Sequence, residues 1–99
     1  MKKLILLLLF IPLASFGQTA EEYYQSGYDK DEAGDYKGAI ADYTKAIEHT
    51  PNPNYADAYF SRGLSKSDLK DLTGACADWK KAASLGYTNS AEWVANQCN

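Results

Sequence analysis

The chain has 99 residues and little of what chemistry usually needs: one histidine, two cysteines, one methionine and three prolines. A structural zinc site takes about four closely spaced His, Cys or carboxylate ligands. His49 alone, with Cys76 and Cys98 far apart and no Cys-x-x-Cys, does not supply them. No Gly-x-Ser-x-Gly, phosphate-binding loop or dinucleotide fingerprint occurs. The carboxylate pairs Glu21-Glu22 and Asp31-Glu32 are sequence neighbours, and neighbours on a helix point apart. Basic charge is scarce as well, and a net charge of −3 argues against nucleic acid as a partner. These absences point away from an enzyme and from any metal or cofactor.

Long apolar runs are also missing, except at the start. Met1-Lys2-Lys3 is followed by an apolar stretch from Leu4 to Ala14, then by Ser15-Phe16-Gly17. A cationic start, a short apolar centre and small residues before a cleavage point make a secretory signal. The stretch falls short of the roughly 20 apolar residues that span a bilayer. No cysteine stands near the junction to carry a lipid, so no stable membrane anchor is expected. The sequence thus predicts a bacterial-type signal over residues 1–17 and export to the periplasm or outside the cell. The remaining 82 residues lose Lys2 and Lys3, which leaves 8 basic against 13 acidic side chains and a net charge of −5. At ~80 residues, one small domain is near the lower limit for a self-sufficient core.

What is present repeats itself. Tyr23, Gly27, Ala39, Tyr43 and Ala46 recur 36 positions later as Tyr59, Gly63, Ala75, Trp79 and Ala82. Gly34-Asp35-Tyr36 has a degraded counterpart in Lys70-Asp71-Leu72. A self-match at such a period signals stacked helical hairpins. The expected helices run from about 20 to 33, 36 to 49, 54 to 69 and 73 to 85. Pro51-Asn52-Pro53 breaks the chain between the pairs, because proline cannot continue a helix interior.

In an antiparallel pair, facing residues have position numbers with a constant sum. Gly27 with Ala39 and Tyr23 with Tyr43 share one sum, and Gly63 with Ala75 and Tyr59 with Trp79 share another. Small residues would then face small ones, with aromatics filling the open ends. After residue 17 the chain has only seven Leu, Ile or Val residues, against thirteen Ala and eleven aromatics. Alanine permits close helix contact, and the rings supply the buried area.

These residues resemble the tetratricopeptide repeat family. One repeat is carried by Tyr23, Gly27, Gly34-Asp35-Tyr36, Ala39, Tyr43, Ala46 and Pro51, over about 20–53. A second is carried by Tyr59, Gly63, Ala75, Trp79 and Ala82, over about 56–87, with Tyr87 where the pattern has proline. Ser26, Lys30, Arg62 and Lys66 depart from positions the family fills with Leu or aromatics. The resemblance implies an all-α protein of two antiparallel hairpins, a short superhelix that binds other proteins or peptides.

The tail reads as a capping helix over about 90–98. Gly86 suits a left-handed helix ending, and Asn89 or Ser90 suits a helix start. The apolar face of this helix is expected at Ala91, Val94, Ala95 and Cys98. One sum aligns Cys76 with Cys98, Trp79 with Ala95 and Ala83 with Ala91. In an exported chain this alignment predicts a Cys76–Cys98 disulfide. The staple, the cap or self-association would each compensate for having two repeats where stacks usually need about three.

Two further features carry little. Asp29, Asp31 and Gly34 faintly match a calcium loop, but Ala33 and Ile40 stand where ligands belong, and a solvated acidic face explains them better. His49, in the last turn of a helix, suits the negative end of the helix dipole.

The functional candidate is a stripe. Glu21, Tyr24, Tyr28 and Asp31 keep to one helix face, and Asp57, Phe60, Leu64 and Ser67 repeat the spacing. The resemblance implies that this stripe lines a concave groove, here aromatic with acidic edges. It suits an extended segment bearing apolar and basic side chains. The family's carboxylate clamp needs Lys, Arg and Asn on the stripe, and none is there. The competing reading is that Phe60 and Leu64 only pack the hairpins together. For function, the alternatives are a self-assembling envelope protein and, less favoured, a small ligand-binding protein or enzyme.

Overall fold

A computed structural model describes residues 19–50 and 55–98. The expected signal over 1–17 and the break at Pro51–Pro53 lie outside the described residues. The described chain is all-α, with five helices: α1 Ala20–Glu32, α2 Tyr36–His49, α3 Ala56–Asp68, α4 Leu72–Ser84 and α5 Thr88–Gln97. Helices α1 and α2 form one antiparallel hairpin, α3 and α4 a second, and α5 folds back along α4. Helix α3 also packs on α2 and reaches α1.

Local chemistry sets the helix starts. Thr19 opens α1 with a capping box: its hydroxyl accepts the Glu22 amide at 3.1 Å, and its own amide donates to the Glu22 carboxylate at 3.0 Å. Asp35 and Asp71, 36 positions apart, cap α2 and α4 by accepting the Gly38 and Gly74 amides at 3.0 and 2.9 Å. Helices α3 and α5 begin at Tyr55 and Tyr87 without a side-chain cap.

Three turns share one design. The Asp35, Asp71 and Tyr87 amides return to the Lys30, Lys66 and Ala82 carbonyls at 2.8, 2.8 and 3.0 Å. Each turn needs one residue in the left-handed region, supplied by Gly34 at φ 85°, Lys70 at φ 70° and Gly86 at φ 99°. The degraded Lys70-Asp71-Leu72 turn therefore keeps the geometry of Gly34-Asp35-Tyr36, with a lysine where a Cβ is unfavourable.

The core is alanine and two rings. Ala39, Ala46, Ala58, Ala75, Ala82, Tyr43 and Trp79 are buried. Tyr43 lies in the hollow left by Gly27, where an added Cβ would stand 2.8 Å from its ring. Trp79 fills the same hollow at Gly63, with 2.5 Å from such a Cβ to its Nε1. The glycines face Ala39 and Ala75 as the register predicts, but each glycine is chiefly a socket for a ring from the neighbouring helix. The Tyr23 ring lies tilted against His49, with ring centroids 5.0 Å apart, and Tyr43 meets Tyr24 at 5.4 Å.

The cap helix differs from the expected face. It starts two residues earlier, at Thr88, so Ser90 lies inside the helix and caps nothing. Ser90 is fully buried, and its hydroxyl donates to the Trp79 carbonyl at 2.5 Å. Ala91 and Ala95 are exposed, whereas Val94 and Cys98 are half-buried. The Trp93 ring, outside the expected face, meets Trp79 at 5.3 Å between centroids. The expected cysteine pairing is present: the Cys76 and Cys98 sulfurs stand at bonding distance, 2.11 Å, with Cα atoms 5.7 Å apart.

Candidate functional site

The stripe occupies α1 and α3, which lie side by side. A hydrogen bond between the Tyr24 and Ser61 hydroxyls, at 3.0 Å, links them. Tyr24 is half-buried, with its ring 5.4 Å from Tyr43 and 5.6 Å from Tyr55. It is held from three sides. Tyr28, one turn further along α1, is 48% exposed. Leu64, its counterpart on α3, and Ser67 are half-buried. Glu21 and Asp57 are exposed at the start of each helix.

The Phe60 ring packs toward the cap helix. Its ring lies 4.8 Å from Tyr87 and 6.2 Å from Trp93, so it packs on the start and middle of α5. The stripe thus divides into two fixed rings, Tyr24 and Phe60, and a more open pair, Tyr28 and Leu64. Tyr55, Tyr87 and Trp93 join the aromatic lining and are absent from the predicted stripe. Tyr55 and Tyr87 precede the helices, where helical spacing gives no signal.

The electrostatics follow from this crowding. Burial pushes the Asp31 carboxyl above its ordinary value, and the carboxylates of Asp68 and Glu32 add to the shift, while the Ser65 hydroxyl opposes it. Burial also raises the Tyr55 phenol to about 12, with Tyr24, Glu21 and Asp57 contributing. Burial raises the Tyr43 phenol still further, and raises that of Tyr87 too. A neutral, ring-rich surface edged by carboxylates results. Such a surface disfavours an incoming anion and favours a cation among apolar groups.

The most ordered polar cluster lies behind the stripe. Arg62 on α3 grips Asp78 on α4 with two hydrogen bonds, Nε to Oδ2 at 2.8 Å and Nη2 to Oδ1 at 2.7 Å. Its Nη1 donates to Thr44 on α2 at 3.1 Å, and Lys66 adds an ion pair to Asp78 at 3.1 Å. The first hairpin repeats the plan in weaker form: the Ser26 hydroxyl donates to Asp42 at 2.6 Å and Lys30 pairs with it at 3.0 Å. Ser26, Lys30, Arg62 and Lys66 each face a buried aspartate. The signal was present in sequence: Asp42 and Asp78 precede Tyr43 and Trp79 at the same 36-residue shift. This cluster is internally satisfied and serves the fold.

His49 is exposed, and its Nδ1 lies 2.9 Å from the Lys45 carbonyl, where an Nδ1–H donates. Asp29, from the faint calcium pattern, lies within α1 and accepts from the Gln25 side chain at 3.1 Å. An open depression of about 440 Å³ lies on α4 and α5 beside Cys76 and Cys98, away from the stripe helices. No described helix is long and apolar enough to cross a membrane. Neither the family models nor the curated proteins compared with the chain give a match.

Proposed function

We propose that this chain is an exported protein-interaction module, related to the tetratricopeptide repeat proteins, that binds an extended segment along α1 and α3. The segment carries apolar side chains for Tyr28 and Leu64 and Lys or Arg for the acidic edges at Glu21, Asp31 and Asp57. The observation that carries this reading is Tyr28, a large ring 48% exposed in mid-helix beside the fixed ring of Tyr24. An aromatic held on a rigid helix yet open to solvent loses little entropy on binding, which is why such rings recur as interface anchors. The cysteine pair supports export, because disulfides persist in oxidising compartments.

A peptide array probed with the mature protein tests the reading. Peptides that combine apolar and basic residues bind, and matched peptides with Asp or Glu in place of Lys or Arg do not. Equal binding of both sets would remove the acidic edges from the account. Intact-mass measurement of the exported protein tests the address: a mass retaining residues 1–17 would contradict it.

A further inference from the structure

We infer that the Cys76–Cys98 bond is a releasable latch on α5: opening it by thiol–disulfide exchange undocks this helix and uncovers Phe60 and Trp79. Helix α5 has little of its own to keep it folded. It is ten residues long, has no side-chain cap, no acidic residue in its first turn and no basic residue in its last. A helix this short is marginal in water without packing. Among its residues only Ser90 is buried, while Ala91, Glu92, Trp93, Ala95, Asn96 and Gln97 are exposed. Its ties to the rest include a hydroxyl bond from Ser90 to Trp79, the Trp93 ring and the disulfide just past its last turn. Elements with few buried contacts open first, below the cost of global unfolding.

What α5 covers is apolar and large. Trp93 lies over Trp79, which is 1% exposed, and against Phe60, a member of the candidate stripe. The bond that holds it is within reach of a reductant. Both cysteines are half-buried and border the open depression on α4 and α5, with Leu72, Ala77, Lys80 and Gln97. Lys80 stands one turn beyond Cys76 on α4, and a nearby cation stabilises a thiolate. In the exchange, a thiolate of a dithiol reductant attacks Cys98 Sγ, the S–S bond breaks, and Cys76 leaves as a thiolate that takes up a proton. The second reductant thiol then displaces Cys98 from the mixed disulfide. The protein ends with two thiols, and the reductant is oxidised to its disulfide.

The test uses the whole mature protein titrated with dithiothreitol and no partner. Its two tryptophans, Trp79 and Trp93, both sit at the α4–α5 contact, so tryptophan emission reports docking. Reduction is expected to shift emission to the red and to lower amide-exchange protection over residues 88–97 by more than about tenfold, while α1 to α3 keep theirs. A variant carrying both Cys76→Ser and Cys98→Ser shows the same pattern without reductant and ignores it. Unchanged emission and protection would overturn the latch, because α5 then stays docked unaided. Simultaneous loss of protection across α1 to α4 would overturn it too, because the bond then holds the whole domain. Access to Phe60 for a partner rests on the groove reading above; release of α5 is measured alone and stands or falls separately.

Discussion

At the scale of single residues, the fold depends on sockets. Gly27 and Gly63 are needed because a ring from the next helix occupies the space of their missing Cβ. Register alone suggests that alanine would be tolerated there, since small faces small. The ring positions say otherwise. At Gly63 a Cβ meets the Trp79 indole at 2.5 Å and the Ala75 carbonyl oxygen at 3.1 Å, and neither is a flexible chain end. Gly63→Ala is therefore expected to lower stability by roughly 1–3 kcal/mol in denaturant unfolding, despite alanine's better helix propensity. Asp31 supplies a second test. Its carboxyl is raised by burial, so the native state holds the proton more tightly than the unfolded chain does. That contribution is fully present below the ordinary carboxylate value and is lost as pH rises through the raised one. Asp31→Asn should then melt higher than the parent at neutral pH, with the advantage shrinking as the solution is made acid. Melting curves across pH check the sign.

At the scale of elements, helix positions and hairpin pairing were legible because repetition and turn chemistry agree. The 36-residue shift aligns Gly27 with Gly63 and Asp35 with Asp71, and both turns form. The cap helix was less legible. Its alanines suggest a face through Ala91 and Ala95, yet the helix turns Ser90 and Trp93 toward α4. Ser90 can be buried because a carbonyl of α4 satisfies its hydroxyl, a partner invisible in sequence. The cysteine alignment still succeeded, since both schemes bring Cys98 to Cys76. Of the stripe, its placement on α1 and α3 was readable from spacing. The diversion of Phe60 onto Tyr87 and Trp93 was not, because it depends on where α5 docks. The three turns also give a prediction at this scale. Lys70 occupies the left-handed position that Gly34 and Gly86 fill elsewhere. Lys70→Gly should raise the stability of the domain by about 1 kcal/mol, read as a higher denaturant midpoint at unchanged slope.

At the scale of the whole molecule, two hairpins are joined by polar as well as apolar contacts. Arg62 links α2, α3 and α4 through Thr44 and Asp78, with Asp78 only 6% exposed at its side chain. Removing one partner of a buried pair strands the other. Asp78→Ala is expected to cost roughly 3 kcal/mol. Asp42→Ala, at the equivalent place, should cost nearer ~1 kcal/mol, because Ser26 is neutral and Lys30 is free to turn to water. Equal losses at the two sites would mean that the charged Arg62–Asp78 pair holds its hairpin no more firmly than Ser26 and Lys30 hold Asp42. With the frame held in this way, α1 and α3 present their stripe on a rigid base, which is the condition for binding without reorganisation.

Binding and melting measured together on Tyr28→Ala test the central claim most directly. If Tyr28 is the exposed anchor, affinity for the best apolar–basic peptide falls by about tenfold or more while the melting temperature stays near the parent value. If Tyr28→Ala melts the domain as a core deletion does, or leaves peptide affinity unchanged, the stripe on α1 and α3 is packing and not a binding site.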